Sequence, residues 1–208
     1  MSRQQATLCL MLVRASAFLL QSAQRNVVEV LETRNGVAFG TWSAPQFCPS
    51  SFYAVGYKLK TEGEQQRGDD TALNGVMLLC ENLDGVSGGE ITSGVGLWGT
   101  WFPWTRCRRD VKNYLEVMVQ FNFRAEQDQG GGDDTAGNDI QFRCNFFETR
   151  TTGEILIAQG GMPWGNWEWS NQCPPNSAIC GIQTKIESSQ GGGDDTSLAD
   201  IKMFCCYD

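Results

Sequence analysis

The tetrapeptide Gly-Asp-Asp-Thr stands three times in the chain, as Gly68-Asp69-Asp70-Thr71, Gly132-Asp133-Asp134-Thr135 and Gly193-Asp194-Asp195-Thr196. Paired carboxylates beside glycine can do three kinds of work. They can accept backbone N–H groups and organise a turn, accept hydrogen bonds from sugar hydroxyls, or offer oxygens to calcium. Three identical copies fit three identical turns best. No EF-hand or Gly-Gly-x-Gly-x-Asp pattern accompanies them. A glutamate lies seven positions before each first Asp (Glu62, Glu126, Glu187), and a cation lies nine before (Lys60, Arg124, Lys185). Residues i and i+2 of a strand share a face, so each glutamate is expected to pair with its cation. A glycosidase would need two carboxyls flanking the scissile bond, about 5–5.5 Å apart for retention or about 6.5–9.5 Å for inversion. Repeated identical acids suit triplicated structure better than one asymmetric active site.

Tryptophan supplies the other ligand-competent chemistry, because an indole face can stack on the C–H face of a sugar ring. Trp42, Trp101 and Trp167 each close a Gly-x-Trp motif and are expected to pack in the core near a symmetry axis. Trp98, Trp104, Trp164 and Trp169 do not recur as tryptophan in all three copies and so break the symmetry. They are therefore the candidate sugar-stacking residues, and Asp69, Asp70, Asp133, Asp134, Asp194, Asp195, Glu62, Glu126 and Glu187 are the candidate carbohydrate-binding acceptors beside them.

These residues recur because the chain is a triplication. The first aspartates are 64 and then 61 residues apart, and a cysteine follows eleven positions after each (Cys80, Cys144, Cys205). Trp42 and Trp167 both stand 27 residues before their Asp and Trp101 stands 32 before, so the middle copy is about five residues longer. This longer copy carries the stretch Pro103 to Asp110, with Arg106, Arg108 and Arg109. Each copy carries alternating runs on both sides of the Asp pair, such as Tyr57-Lys58-Leu59-Lys60 and Ile140-Gln141-Phe142-Arg143-Cys144. That period of two marks half-buried strands. Glycine-rich loops separate them, where positive φ costs little. Three copies of about four strands give an all-β domain of about twelve strands, with the copies near 27–82, 83–146 and 147–208. A threefold prism or trefoil buries the apolar faces.

Nine cysteines are present, and His is absent. The absence of His removes Ser-His-Asp and Cys-His catalysis and His-ligated zinc. No Cys-x-x-Cys pair occurs, so no metal or cofactor is expected. Cys9 sits in the apolar run Ala6 to Val13, behind a polar start and before small-residue cut sites near Ala17 and Ala23. Residues 1–23 thus read as a secretory leader and 24–208 as the mature domain. Eight cysteines remain, an even number suited to an oxidising compartment. Cys48 and Cys173 lie 21 before their Asp, and Cys107 lies 26 before, the same shift as its tryptophan. Equivalence therefore pairs Cys48–Cys80, Cys107–Cys144 and Cys173–Cys205, leaving Cys180–Cys206. The adjacency of Cys205 and Cys206 keeps the swapped alternative open. A formal net charge of −8 argues against a phosphate-backbone partner. After the leader, no segment has enough apolar residues to span a bilayer.

Three copies of Gly-x-Trp, Cys, strand, Gly-Asp-Asp-Thr, strand and Cys, behind a leader, resemble the vitelline membrane outer layer protein I family over residues 27–208. The resemblance implies a β-prism of three four-stranded antiparallel sheets with pseudo-threefold repeats, a fold shared with some plant lectins. It also implies a secreted structural component of an extracellular coat, with coat glycoproteins or amino-sugar oligosaccharides as partners. The alternative it implies is a glycosidase or transglycosylase acting on N-acetylglucosamine oligomers.

Overall fold

The computed structural model describes residues 25–63, 71–109, 115–127, 135–149, 151–188 and 197–207. Residues 1–24 and all six aspartates of the Gly-Asp-Asp-Thr segments lie outside the described residues. Among the described residues, fourteen strands follow in order: β1 (Asn26–Leu31), β2 (Thr41–Trp42), β3 (Gln46–Phe47), β4 (Tyr53–Thr61), β5 (Leu73–Glu81), β6 (Ser87–Thr92), β7 (Thr100–Trp101), β8 (Thr105–Arg106), β9 (Glu116–Ala125), β10 (Gly137–Phe146), β11 (Thr152–Ile157), β12 (Asn166–Trp169), β13 (Ala178–Ile186) and β14 (Leu198–Tyr207).

All ladders are antiparallel, in three sheets. The first has the order β6-β5-β4-β7, the second β11-β10-β9-β12 and the third β1-β14-β13-β2. Two short strands, β8 and β3, also pair with β4 and β13. The fourth position of the first and third sheets is therefore filled by two fragments, which raises the expected twelve strands to fourteen. Proline is the cause. Pro103 falls between β7 and β8, and Pro45 between β2 and β3, where a residue without an N–H cannot continue the ladder.

The sheets cut across the sequence copies. Each Gly-x-Trp strand joins the sheet before its own hairpin: Trp101 pairs with Lys60, Trp167 with Arg124 and Trp42 with Lys185. The third sheet is closed by the start of the chain, since β1 pairs with β14. Three disulfides consequently join neighbouring sheets. Cys48, after β3, meets Cys80 on β5; Cys107, after β8, meets Cys144 on β10; Cys173, after β12, meets Cys205 on β14. The fourth, Cys180–Cys206, lies within the third sheet.

Bulges recur with the same symmetry. Val55, Val119 and Cys180 are extra residues in β4, β9 and β13. Their carbonyls each accept the N–H of a bridging cysteine (Cys107, Cys173 and Cys48) at 2.8 Å. A bulge thus aims one backbone acceptor at the bridging cysteine that follows the edge strand of its own sheet.

Inward residues of all three sheets meet in one cluster that includes Tyr57, Leu59, Phe121, Phe123, Phe142, Ile182 and Ile201, each 0% exposed. Tyr57 and Phe142 pack edge to face with centroids 4.7 Å apart. The expected tryptophan core is not formed. Trp101 is 36% exposed and Trp42 and Trp167 are half-buried. They sit at the sheet edge on the outer face, where each indole covers a cation: Lys202 on Trp42 at 4.5 Å, Lys58 on Trp101 at 5.4 Å and Arg124 on Trp167 at 5.3 Å.

Candidate functional site

The glycine of each Gly-x-Trp motif builds one end of the prism. Gly40, Gly99 and Gly165 have φ of +80°, +76° and +78°, a region that penalises any Cβ. Each also presses against the opposite strand: a Cβ on Gly40 would stand 2.7 Å from the Ile186 carbonyl carbon. On Gly99 and Gly165 it would collide with the backbone at Thr61 and Ala125. The loops entering these glycines are pinned by the repeated cations. Lys60 Nζ donates to the carbonyls of Gly96 and Leu97 at 2.8 and 3.1 Å. Lys185 Nζ donates to Val37 and Ala38 at 3.2 and 2.7 Å. Arg124 reaches Met162 and Gly165, both at 3.3 Å.

The cations therefore serve the loop carbonyls, and the expected Lys60–Glu62 pair is replaced. Glu62 stands beyond the last residue of β4, where strand alternation no longer sets its face. Its carboxylate accepts the Thr71 hydroxyl at 2.7 Å, and Glu126 accepts that of Thr135 at 2.9 Å. Asn74 and Asn138, fully buried at a second bulge, donate to those same hydroxyls at 2.7 and 2.6 Å. The third copy has Ala199 in the asparagine position, packed with Val37 and Ala136. There Glu187 N–H donates to the Ser197 carbonyl at 2.9 Å. Glutamate and threonine thus brace the two ends of the first two loops that carry an Asp pair.

The loops form a ring. Asn35 of the third sheet's loop donates to Phe123 and Asn166 of the second sheet at 2.8 and 2.9 Å. Thr184 of the third sheet donates to Gly94 of the first sheet's loop at 2.8 Å. Met162 of the second sheet's loop lies 3.8 Å from the Cβ direction of Gly63 in the first. On this ring stand three aromatic residues at one equivalent position, just before the glycine: Phe39, Trp98 and Trp164. Phe39 is 41% and Trp98 49% exposed, with Leu97 beside it at 74%. Trp98 is held by its own N–H, which donates to Asn74 Oδ1 at 3.1 Å.

The four candidate tryptophans thus fall into two groups. Trp98 and Trp164 belong to the symmetric ring, with Phe39 as the third member that a search for tryptophan alone misses. Trp104 and Trp169 lie on outer sheet faces, with Lys58 4.4 Å and Arg143 5.0 Å from their ring centroids.

A family model for vitelline membrane outer layer protein I (VOMI) matches residues 29–208. This chain belongs to the vitelline membrane outer layer protein I family. It is 39% identical over 203 residues to the human vitelline membrane outer layer protein 1 homolog, covering 95% of this chain and 93% of that protein. The mouse homolog is 36% identical over 180 residues, covering 85% and 83%. Among solved structures, Calystegia sepium agglutinin superposes with a TM-score of 0.50 at 14% identity, covering 86% of this chain and 97% of that one. That likeness supports the β-prism fold.

The arginines of the middle copy form ion pairs on the first sheet and one across to the second. Arg106 and Arg109 both reach the nearly buried Glu81 carboxylate, at 2.6 and 3.0 Å, and Arg108 reaches Glu154 of β11 at 2.9 Å. Among the described residues, no helix is long and apolar enough to cross a membrane.

Proposed function

We propose that this chain is a secreted, disulfide-clamped structural component of an extracellular coat, and that it binds amino-sugar oligosaccharides at the aromatic end of the prism. One observation carries the binding site: Phe39, Trp98 and Trp164 occupy one equivalent position on loops that backbone and cation contacts hold in place. Rigid aromatics that face solvent, as Phe39 and Trp98 do, cost little entropy when a ligand stacks on them. The Asp pairs, next in sequence to the braced Thr71 and Thr135, supply hydroxyl acceptors in this reading. The names of the human and mouse relatives support the coat role, and the eight paired cysteines suit an extracellular compartment.

The test is a titration of the folded protein with chito-oligosaccharides, beside the double variant Trp98→Ala/Trp164→Ala. Binding should weaken by about tenfold or more, while the unfolding midpoint stays near that of the wild type. Unchanged affinity in the variant would remove the aromatic end as the site. Shortened or rearranged oligosaccharides after long incubation would replace the structural reading with an enzymatic one.

A further inference from the structure

The outer face of the second sheet differs from the other two at one position. Two residues before the pinning cation, the first sheet has Lys58, held near the Trp104 and Trp101 rings at 4.4 and 5.4 Å. The third sheet has Gln183, whose amide donates to the Ser43 carbonyl at 2.8 Å. The second sheet has Asn122, only 5% exposed, and its Oδ1 is buried without a hydrogen-bond partner among the described residues. A buried amide in that state weakens the fold and asks for an explanation.

Its neighbours offer one. Asn122 pairs in register with Gln141 on β10 and with Trp169 on β12, and Gln141 pairs with Ile157 on β11. Trp169, Asn122, Gln141 and Ile157 therefore form one row across the sheet. Trp169 is 36% and Ile157 63% exposed, so apolar surface flanks two carboxamides. Arg143 fixes the indole, lying 5.0 Å from its centroid while Nε donates to Gln120 Oε1 at 3.0 Å.

We infer that this row is a second ligand-binding surface, and that it takes an uncharged sugar ring. The ring's C–H face packs on Trp169 and Ile157, and its hydroxyls exchange hydrogen bonds with Asn122 and Gln141. Each carboxamide carries both donors and an acceptor, which matches hydroxyls that do both. The surface lies on a side of the prism, so it stands or falls separately from the aromatic end. With both surfaces occupied, one chain bridges two glycan strands.

The experiment is a heteronuclear NMR titration of the full chain with methyl glycosides of glucose, galactose, mannose and N-acetylglucosamine at millimolar concentrations. The side-chain amides of Asn122 and Gln141 and the Trp169 indole N–H should shift and saturate with at least one of them. Trp169→Ala should weaken that binding by about tenfold or more, and Trp98→Ala/Trp164→Ala should leave it unchanged. Asn122→Ala should unfold at or above the wild-type midpoint, because it removes an unpartnered buried amide. The inference is overturned if none of these resonances moves, or if shifts appear only at the Trp98 and Trp164 indoles. It is also overturned if Asn122→Ala unfolds well below wild type, since ordered water then already satisfies the amide.

Discussion

Tyr57 shows how much one hydroxyl can hold. It is fully buried, yet its OH donates toward the Ile140 and Leu156 carbonyls at 2.8 and 3.2 Å and accepts the Ala158 N–H at 2.8 Å. One side chain of the first sheet thus satisfies backbone groups where β11 leaves β10 in the second. Burial also raises its pKa, so the group stays a neutral phenol. The equivalent positions hold Phe121 and Ile182, which have no such task. Tyr57→Phe keeps the shape and strands those groups, at an expected cost of about 1–3 kcal/mol. Denaturant unfolding measures this, and a loss below about 0.5 kcal/mol would mean the hydroxyl is dispensable. A parallel case is Glu81, whose carboxylate pairs with both Arg106 and Arg109. Glu81→Gln leaves two guanidiniums without their anion, and about 1–3 kcal/mol should be lost. That loss should shrink in high salt, because both arginines are partly exposed.

At the scale of the element, glycine is the sharpest test. Gly99 and Gly89 have similar φ, +76° and +87°, but different neighbours. A Cβ on Gly89 meets nothing within 4 Å, whereas one on Gly99 strikes the Thr61 backbone. Gly89→Ala should therefore cost only the conformational penalty, about 1–2 kcal/mol. Gly99→Ala should cost distinctly more and displace β7, moving Trp101 and Trp98 with it. Equal midpoints for the two variants would show that the close approach carries no weight. Elements also show what sequence could reveal. Cysteine offsets were legible because each inter-sheet bridge is one event copied three times. The bulges that fix those bridges left no signature, since Val55 and Val119 are ordinary strand residues and the third position holds Cys180. The tryptophans misled for a physical reason: alternation tells which residues share a face, not which face is inside. The ring of Phe39, Trp98 and Trp164 was legible once the position, rather than the residue type, is compared. Compensation between copies appears only in three dimensions. Asp139 and Asp200 lie where Gly161 and Gly36 have no room for a Cβ, while the first sheet has the smaller Gly75 and Val95, 3.1 Å from its Cβ direction.

For the whole molecule, those buried acids set the pH response. Burial pushes the Asp139 carboxyl up to about 6 from its ordinary 3.8, although its Oδ1 accepts the Ile140 N–H at 2.7 Å and Arg124 pulls the other way. Burial likewise raises Asp200 and Glu116. A raised carboxyl pKa means that, between about 4 and 6, the folded chain keeps a proton the unfolded chain has released. Stability therefore falls as pH rises through that window and is greater on its acid side. Each tenfold change in proton affinity is worth about 1.4 kcal/mol, so Asp139 alone contributes up to roughly 2–3 kcal/mol of this change. The overall charge of −8 works in the same direction, because protonation also relieves repulsion among exposed acids. Asp139→Asn separates the two effects. The amide oxygen can still accept the Ile140 N–H, but no charge is buried at neutral pH. The variant should melt above wild type at pH 7, converge with it near pH 4, and show a flatter slope between. Calorimetry across that range decides: parallel curves for the two proteins would take Asp139 out of the pH response.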